Sequence, residues 1–377
     1  MFKKLLNLIV FVVALLFIVA PIASAAPALQ NGEVTCAETY TVQAEDWLSK
    51  LAERYFGDAQ LYTAIVAATN QMQASDSSFA QIDNPDRIEP GWKLCIVDKA
   101  ATAALSGEST GAMAAANFTE TKVTLENGIA GIVARPNGVD KGPAVLMLHG
   151  FGSQKDEVGD MYKRAAATLA DKGIASLRID FRGWGESAGD MADSTVQGQV
   201  DDAQTAYNYL AAQDFVDPSR VGILGFSLGG GVSVISGAQH PDWYKSMVVW
   251  SSVGDFKPDF IPSLGQENFD KAAAEGIVTI DLGWRSVTLK DNFFKSLETY
   301  NLQDEIKKYP GAFLAIAGSE DFSAAYVDSF VAGASGQTKE KWVIPGGDHI
   351  YGVLGEDQTM ANSVIQKTAD WFSQTLP

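Results

Sequence analysis

Six short apolar runs alternate with stretches of helical pattern from residue 143 onwards, and this alternation restricts the fold more than any other feature of the sequence. The runs lie at residues 143–150, 174–181, 221–226, 245–250, 311–318 and 341–346. Near-continuous apolar strands separated by helices form a parallel sheet that helices cover on both faces. Residues 251–309 interrupt the alternation without a clear core strand, so we predict an insertion over one end of the sheet. The predicted fold class is α/β.

The chain is long enough for two domains. Its 377 residues exceed one ordinary small domain, and a hydrophobic content of 46% is sufficient for a large packed core. Residues 99–117 are mostly small and lack an apolar period, as expected for a flexible linker. We therefore predict a small domain at residues 36–98 and a large one at residues 118–377, with the insertion acting as a lid at about residues 251–309.

The formal net charge of the chain is −18. Nucleic acids and anionic membrane surfaces are also negatively charged and repel such a protein, so we expect neither as a partner. An acidic, well-solvated surface is compatible with a secreted protein.

The N-terminus has the pattern of a secretory signal. Two lysines precede an apolar run at residues 5–22, and the small residues A-S-A follow it. This order predicts a signal peptide at residues 1–25 with cleavage after Ala25. The apolar run is also long enough to remain as a membrane anchor if it is not cleaved. We expect a secreted protein.

Both cysteines of the chain, Cys36 and Cys95, belong to the small domain. In an oxidising compartment such a pair is most simply a disulfide, and two free buried thiols are the alternative. Two cysteines alone cannot form a structural zinc site, and we expect no metal.

The apolar pattern of the small domain predicts a strand, two helices and a closing strand. Residues 39–43 alternate as a strand, and Asp46 is placed to cap the first helix. A second helix follows from about residue 61, and a Pro-Gly turn leads into the closing strand at residues 92–97.

This segment resembles a LysM domain through Y-T-V-Q, D-W-L, L-A-E-R-Y, the Asn70 that ends the second helix, and N-P-D-R-I-E-P-G-W-K-L. The resemblance implies binding to glycans that contain N-acetylglucosamine, such as peptidoglycan. Glu45 and Trp47 stand where the family usually has glycine and threonine, and residues 71–84 form an insertion. A domain that packs or binds another protein is the alternative.

A serine flanked by glycines ends the third apolar run, in G-F-S-L-G at residues 225–229. Between a strand and a helix, G-x-S-x-G forms a turn so sharp that bulky neighbours would clash, and the glycines remove that clash. Ser227 is therefore the candidate nucleophile, with a tight packing turn as the alternative.

A serine hydroxyl needs a base to take its proton, and the chain has three histidines. His349 lies in a loop after the last apolar run, whereas His149 ends an earlier strand and His240 ends a helix. We predict His349 as the base and His149 as a structural residue.

The base in turn needs a carboxylate that holds its tautomer. Asp321 follows the fifth apolar run, so it emerges at the same sheet edge as Ser227. Two other carboxylates are alternatives. Glu320 directly precedes Asp321, and Asp348 directly precedes His349. The predicted order is Ser227, Asp321, His349.

The developing oxyanion needs hydrogen-bond donors. We predict the backbone N–H groups of Leu228, which follows the serine, and of Phe151, in the loop after the first apolar run. This chemistry requires no cofactor, and none is expected.

Residues 120–377 resemble the α/β-hydrolase family through H-G-F-G-S-Q-K-D-E, R-I-D-F-R-G-W-G-E-S, G-F-S-L-G-G, G-S-E-D and G-G-D-H. The first two motifs, with I-D-L-G-W-R and D-N-F-F-K-S-L in the insertion, are similar to the cinnamoyl (feruloyl) esterase and serine aminopeptidase-like branch. The resemblance implies a serine hydrolase acting on small carboxylic esters. A peptidase or amidase, and a wall-binding protein with an idle hydrolase scaffold, are the alternatives.

Cinnamoyl-type esters fit an aromatic pocket, and the insertion is rich in aromatic residues. We predict Phe256, Trp284 and Phe293 as pocket residues, and the alternative is that they only pack the lid.

Overall fold

The computed structural model describes residues 34–43, 46–57, 61–82, 88–105, 117–283, 285–355 and 357–377. The chain divides into two compact units, Met1–Met113 and Ala114–Pro377. The predicted signal peptide, residues 1–25, lies outside the described residues. Within the described ranges, no helix has the length and apolar character needed to cross a bilayer.

The first unit has the predicted strand-helix-helix-strand order, followed by one more helix. Its described elements are β1 (Glu38–Thr41), α1 (Leu48–Phe56), α2 (Tyr62–Gln73), β2 (Lys93–Ile96) and α3 (Lys99–Leu105). The two strands pair antiparallel, with Tyr40 opposite Leu94. Apolar residues of α1, α2 and β2, among them Leu51, Ile65 and Leu94, form the core against which the sheet packs.

Asp46 does not cap α1, which corrects the sequence prediction. The helix begins only at Leu48, and no side chain caps it. The carboxylate of Asp46 instead accepts hydrogen bonds from the Gln43 backbone N–H (2.8 Å) and from the Tyr40 hydroxyl (2.6 Å). It therefore holds the turn after β1, because both hydrogen bonds go to residues of that strand and turn.

The described part of the predicted insertion 71–84, residues 71–82, contributes to the core of the first unit. α2 continues to Gln73, so Asn70 lies inside the helix and not at its end, contrary to the prediction. Its side-chain amide donates to the Ile82 carbonyl (2.9 Å) and its oxygen accepts from the Ile82 N–H (2.7 Å). Ile82 is buried with Phe79, so this double hydrogen bond holds the inserted segment against α2.

The predicted linker begins too early. Residues Lys99–Leu105 form α3, and Ala101 and Leu105 pack against the core of the first unit. Alanine and leucine are strong helix formers, and these two side chains supply enough apolar contact to dock the helix. Residues 106–116, the rest of the predicted linker, lie outside the described residues.

Cys36 and Cys95 form a disulfide, as predicted, with 2.07 Å between the sulfur atoms. We expect the Cys36→Ser, Cys95→Ser double variant to lower the free energy of unfolding of the first unit by about 4 kcal/mol, because the bond closes a loop with a sequence separation of 59. Calorimetry of the full chain should show the unfolding transition of the first unit at a lower temperature than in the unmodified protein. The unfolding transition of the second unit should be unchanged. Two unchanged transitions would contradict a stabilising bond.

The second unit is built on an eight-stranded sheet. Its strands are β3 (Phe118–Thr124), β4 (Ala130–Pro136), β5 (Gly142–Leu148), β6 (Ala175–Ile179), β7 (Val216–Phe226), β8 (Ser246–Trp250), β11 (Ala312–Gly318) and β12 (Lys339–Ile344). Their order is β12-β11-β8-β7-β5-β6-β4-β3. The six strands predicted from the apolar runs are parallel, whereas β4 runs antiparallel to both β6 and β3. The sequence analysis did not find β3 and β4.

Helices cover both faces of this sheet, as predicted. One face packs against α4 (Met161–Asp171) and α12 (Thr359–Thr375). The other packs against α5 (Val196–Ala211), α6 (Leu228–Gln239) and α11 (Ala324–Gly333). Each face has its own continuous apolar core.

The lid, residues 251–309, lies between β8 and β11. Its elements are α7 (Phe256–Leu264), α8 (Gln266–Glu275), β9 (Ile277–Asp281), β10 (Ser286–Lys290), α9 (Asp291–Ser296) and α10 (Leu302–Glu305). β9 and β10 pair only with each other, as an antiparallel hairpin. The lid adds no strand to the central sheet, which explains why it interrupts the alternation in the sequence.

Candidate active site

Ser227 lies at the sharp turn between β7 and α6. Its backbone has φ +53° and ψ −116°, a conformation that a non-glycine residue rarely adopts. A Cβ atom at Gly225 would lie 2.2 Å from the Gly229 carbonyl oxygen, and one at Gly229 would lie 2.1 Å from the Leu148 carbonyl oxygen. The flanking glycines are therefore required by close backbone contacts around a half-buried serine.

The ends of three parallel strands bring the predicted serine, histidine and aspartate together. The Ser227 hydroxyl lies 3.1 Å from His349 Nε2, and His349 Nδ1 lies 3.0 Å from Asp321 Oδ1. Ser227 ends β7, Asp321 follows β11 and His349 follows β12, and all three positions lie at the carboxyl edge of the sheet. The side chain of Asp321 is 3% exposed and that of His349 is 35% exposed, so the base is accessible while its partner is shielded.

Asp321 is held as a carboxylate. Burial opposes its ionisation, but hydrogen bonds and charge from His349, followed by a hydrogen bond from Ser323, outweigh burial and lower the pKa of Asp321 below its usual value. The Ser323 hydroxyl donates to Asp321 Oδ2 while His349 binds Oδ1. Ser323 was not found from the sequence, although its position two residues after the aspartate is a spacing at which serine commonly forms local hydrogen bonds.

The rival residues lie elsewhere. Asp348 accepts a hydrogen bond from the Gly352 N–H (2.8 Å), and Glu320 is exposed. His240 ends α6 and stacks on Trp243 with 3.6 Å between ring centroids. Among the described residues, no group of three His, Cys, Asp or Glu side chains is arranged to bind a metal ion.

His149 is buried in the second unit, directly after β5. Its Nε2 accepts a hydrogen bond from the Phe181 N–H (3.1 Å), so its proton resides on Nδ1, which donates to the Gly150 carbonyl (2.8 Å). Burial lowers the pKa of His149 from 6.5 to about 4, and the charge of Asp180 opposes this shift only in part. His149 is thus a neutral structural residue that supports the loop beside Ser227.

We expect the buried His149 to make stability depend on pH. Between pH 6.5 and about 4, the unfolded chain binds a proton here that the native state excludes. The free energy of unfolding should therefore be highest above this window and should fall as the pH is lowered through it, by about 3 kcal/mol in total. Urea denaturation at several pH values should show a smaller fall for His149→Asn than for the unmodified protein, and equal falls would contradict this assignment.

Residues 150–153, here called the oxyanion turn, lie against the serine. A Cβ atom built on Gly150 would lie 3.3 Å from the Cβ of Ser227. The Ser153 N–H bonds to the Gly150 carbonyl (3.3 Å) and Gly152 has φ +74°, as a type II turn requires. Within the described part of the chain, the N–H groups of Phe151 and Leu228 have no hydrogen-bond acceptor. Both predicted donors are therefore available to an incoming ligand.

The predicted pocket residues Phe256 and Phe293 are fully buried. Phe256 packs on α6, where a Cβ atom at Gly231 would lie 2.7 Å from its ring. The Phe293 ring lies 5.5 Å from the Phe151 ring of the oxyanion turn. Trp284 lies outside the described residues. These two phenylalanines make packing contacts between the lid and the rest of the second unit, and their role in a substrate pocket stays a prediction.

Two other phenylalanines flank the imidazole of His349. The ring of Phe226, which precedes the serine, lies 5.1 Å from it, and the ring of Phe322 lies 5.3 Å from it in a stacked arrangement. Phe322 is 42% exposed, which is unusual for so large an apolar side chain. The sequence analysis did not single it out, although it directly follows Asp321.

Each of the two units matches a known protein family. Residues 140–290 match the serine aminopeptidase S33 family, and residues 40–97 match the LysM domain. An Escherichia coli protein of 31.7 kDa, encoded in the traX-finO intergenic region, is 32% identical over 124 residues. That match covers 33% of this chain and 42% of the relative, so the chain spans less than half of the relative's length.

Solved structures of esterases share the fold of the second unit. Est1E of Butyrivibrio proteoclasticus, solved with ferulic acid bound, aligns with a TM-score of 0.56 and 21% identity, covering 68% of this chain and 98% of Est1E. The esterase domain of a Rhodothermus marinus protein aligns with a TM-score of 0.51 and 21% identity, covering 69% of this chain and 100% of that domain. The second unit thus has the α/β-hydrolase fold, and the first is a LysM-like domain, as the sequence motifs predicted.

Proposed function

We propose that this chain is an exported serine hydrolase that cleaves carboxylic esters through an acyl-enzyme on Ser227. The main support is the hydrogen-bonded series from Ser227 through His349 to Asp321, adjacent to a turn with a free N–H. A solvent-accessible serine with a positive φ is held where a nucleophile would be needed.

The geometry supports a two-step mechanism. His349 Nε2 accepts the proton of Ser227 Oγ as the oxygen attacks the ester carbonyl carbon, and the N–H groups of Phe151 and Leu228 stabilise the resulting oxyanion. His349 then returns the proton to the leaving alkoxide, which departs as the alcohol. In the second step His349 activates a water molecule, and the acyl-enzyme releases the carboxylic acid. Asp321 remains ionised throughout and stabilises the transient imidazolium.

A peptidase acting on small peptides or amides is the second candidate. The match to the serine aminopeptidase S33 family favours it, whereas the esterase folds aligned above favour esters. An ester alkoxide is a better leaving group than an amine, so the same residues would cleave esters more readily.

The substrate class is tested on one purified sample. A fluorophosphonate probe should label the protein, and p-nitrophenyl esters and methyl ferulate should be hydrolysed while aminoacyl amides are not. Turnover of amides without esters would replace the esterase proposal with the peptidase one. Absence of both labelling and turnover would leave only the binding protein.

We also propose that the first unit anchors the enzyme to cell-wall glycan, so that the protein is secreted or wall-associated. LysM-like domains suggest binding to N-acetylglucosamine glycans, and peptidoglycan is the expected ligand. Trp47, 49% exposed in the connection between β1 and α1, offers an aromatic surface suited to stacking on a sugar ring.

We expect the chain from Ala26 onwards to sediment with purified peptidoglycan or chitin. A shorter chain that begins at Asn117 should remain in the supernatant and keep its turnover of soluble esters, because all proposed catalytic residues belong to the second unit. Trp47→Ala should weaken sedimentation, whereas Glu53→Ala, at an exposed position of the adjacent helix α1, should not. Equal sedimentation of the long and short chains would contradict anchoring by the first unit.

A further inference from the structure

The oxyanion turn is bound at both ends by one buried carboxylate. Glu157 Oε1 accepts a hydrogen bond from the Gly150 N–H (2.6 Å), and Oε2 accepts from the Ser153 hydroxyl (2.9 Å) and from the Val158 N–H (2.8 Å). Glu157 itself has φ +62° and ψ 170°, a backbone region almost restricted to glycine. Its surroundings therefore hold it in place against local backbone preference.

The lid binds the same turn from the other side. Arg285, in the β9–β10 hairpin, donates from Nη1 to the Gly152 carbonyl (2.7 Å), and its guanidinium lies 5.4 Å from the Trp184 ring centroid. Among the described residues Arg285 has no carboxylate partner, and burial lowers the pKa of its guanidinium. Its one identified polar contact is thus with the oxyanion turn.

The aromatic side chain of the turn is also packed against the lid. The Phe151 ring lies 5.1 Å from Phe260 of α7 and 5.5 Å from Phe293 of α9. Its backbone N–H belongs to the peptide whose carbonyl, on Gly150, faces His149 Nδ1 (2.8 Å). Because a trans peptide directs its N–H opposite to its carbonyl, His149 fixes the direction of the free N–H.

We propose that Arg285 is a positioning residue through which the lid holds the oxyanion turn in its active conformation. The inference rests on the proposed serine hydrolase function and deepens it. Gly150 and Gly152 give the turn unusual backbone freedom, so it needs external restraints. Glu157 fixes the peptide before Gly150, His149 fixes the next one, and Arg285 fixes the one after Gly152. Without Arg285 the peptide after Gly152 is free to reorient and the lid no longer holds that end of the turn, so the turn samples conformations in which the Phe151 N–H, then restrained only from the Gly150 side, points away from the oxyanion.

We expect substitution of Arg285 to lower kcat and to leave KM nearly unchanged. An oxyanion donor acts on charge that develops in the transition state, and loss of one donor lowers kcat by about 100- to 1000-fold. A misplaced donor is only partly lost, so Arg285→Ala should lower kcat for the uncharged ester p-nitrophenyl acetate by about 10- to 100-fold with KM little changed. Arg285→Lys, which keeps one donor on a flexible chain, should give an intermediate value.

A matched control is Arg135→Ala, since Arg135 is exposed on β4, also lacks a carboxylate partner among the described residues, and lies over an aromatic ring, that of Phe215. The Arg135→Ala variant should leave kcat unchanged.

Two readouts separate a positioning role of Arg285 from general destabilisation of the protein. The affinity for a trifluoromethyl ketone, which forms a tetrahedral oxyanion adduct with the serine, should fall in proportion to kcat/KM across the Arg285 variants. Added ethylguanidinium should partly restore kcat in Arg285→Ala alone.

The proposal is overturned if Arg285→Ala hydrolyses p-nitrophenyl acetate as the unmodified enzyme does. It is also overturned if the variant is impaired only towards anionic esters such as a p-nitrophenyl hemisuccinate, through a raised KM, because Arg285 would then bind the substrate carboxylate directly. Absence of ester turnover in the unmodified enzyme is a different result, which overturns the proposed function.

Discussion

Replacing Ser227 with alanine is expected to lower kcat for ester hydrolysis by about four to six orders of magnitude and to abolish labelling by a fluorophosphonate probe. The hydroxyl is the attacking atom of the proposed mechanism, and its oxygen lies 3.1 Å from Nε2 of the proposed base, so alanine removes both the nucleophile and its hydrogen bond to that base. Alanine keeps the Cβ that the turn already accommodates, and the fold should remain intact.

The matched control is Ser219→Ala. Ser219 is exposed on the same strand, β7, near its opposite end, and its hydroxyl contacts Asp217 (2.7 Å). This variant should retain labelling and turnover. Labelling that survives in Ser227→Ala, with thermal unfolding unchanged, would show that another residue is the nucleophile.

Replacing Asp321 with asparagine is expected to lower kcat by about four orders of magnitude. The carboxylate accepts the Nδ1 proton of His349 at 3.0 Å and thereby leaves Nε2 free to take the serine proton. An asparagine amide can donate to Nδ1, which would favour the tautomer with the proton on Nε2. Such a histidine cannot act as a base toward Ser227.

Two neighbouring carboxylates provide controls for this prediction. Asp348→Asn alters a residue adjacent to His349 that bonds the Gly352 N–H instead, and Glu320→Gln alters an exposed side chain next to Asp321. Steady-state kinetics on one ester should show small effects for both. A greater loss in Glu320→Gln than in Asp321→Asn would mean that the wrong carboxylate has been assigned.

The sequence alone was sufficient for the architecture of the parallel sheet and for the strand-helix-helix-strand order of the LysM-like unit, but not for its helix α3. The parallel strands inside the sheet contain continuous buried apolar runs, which made them recognisable from local composition. The edge strand β12 alternates between exposed and less exposed positions and was recognised only from its apolar end. β3 was missed because it is a mostly polar, largely exposed edge strand, F-T-E-T-K-V-T. β4 is mostly buried, but its short run A-G-I-V-A-R-P, which includes glycine and arginine, was not recognised as a strand. The disulfide followed from the count of cysteines and the expected compartment, both of which are properties of the sequence.

For the candidate site too, some features could be predicted from the sequence and others could not. The turn at Ser227 depends on glycines within two or three residues of it, and the strand ends identify Asp321 and His349, so the sequence contains the information that brings them to one edge of the sheet. Local pattern was misleading where a tertiary contact competed, as at Asp46, whose carboxylate binds Tyr40 in place of the helix terminus.

Only the tertiary structure revealed the restraints on the oxyanion turn. Arg285 and Gly152 are 133 residues apart, and no periodicity or spacing links a lid hairpin to a particular carbonyl group. Sequence patterns record which residues are buried and which turns are sharp, because those properties depend on near neighbours. A hydrogen bond between distant segments depends on how the lid packs on the sheet, and that geometry exists only in the folded chain.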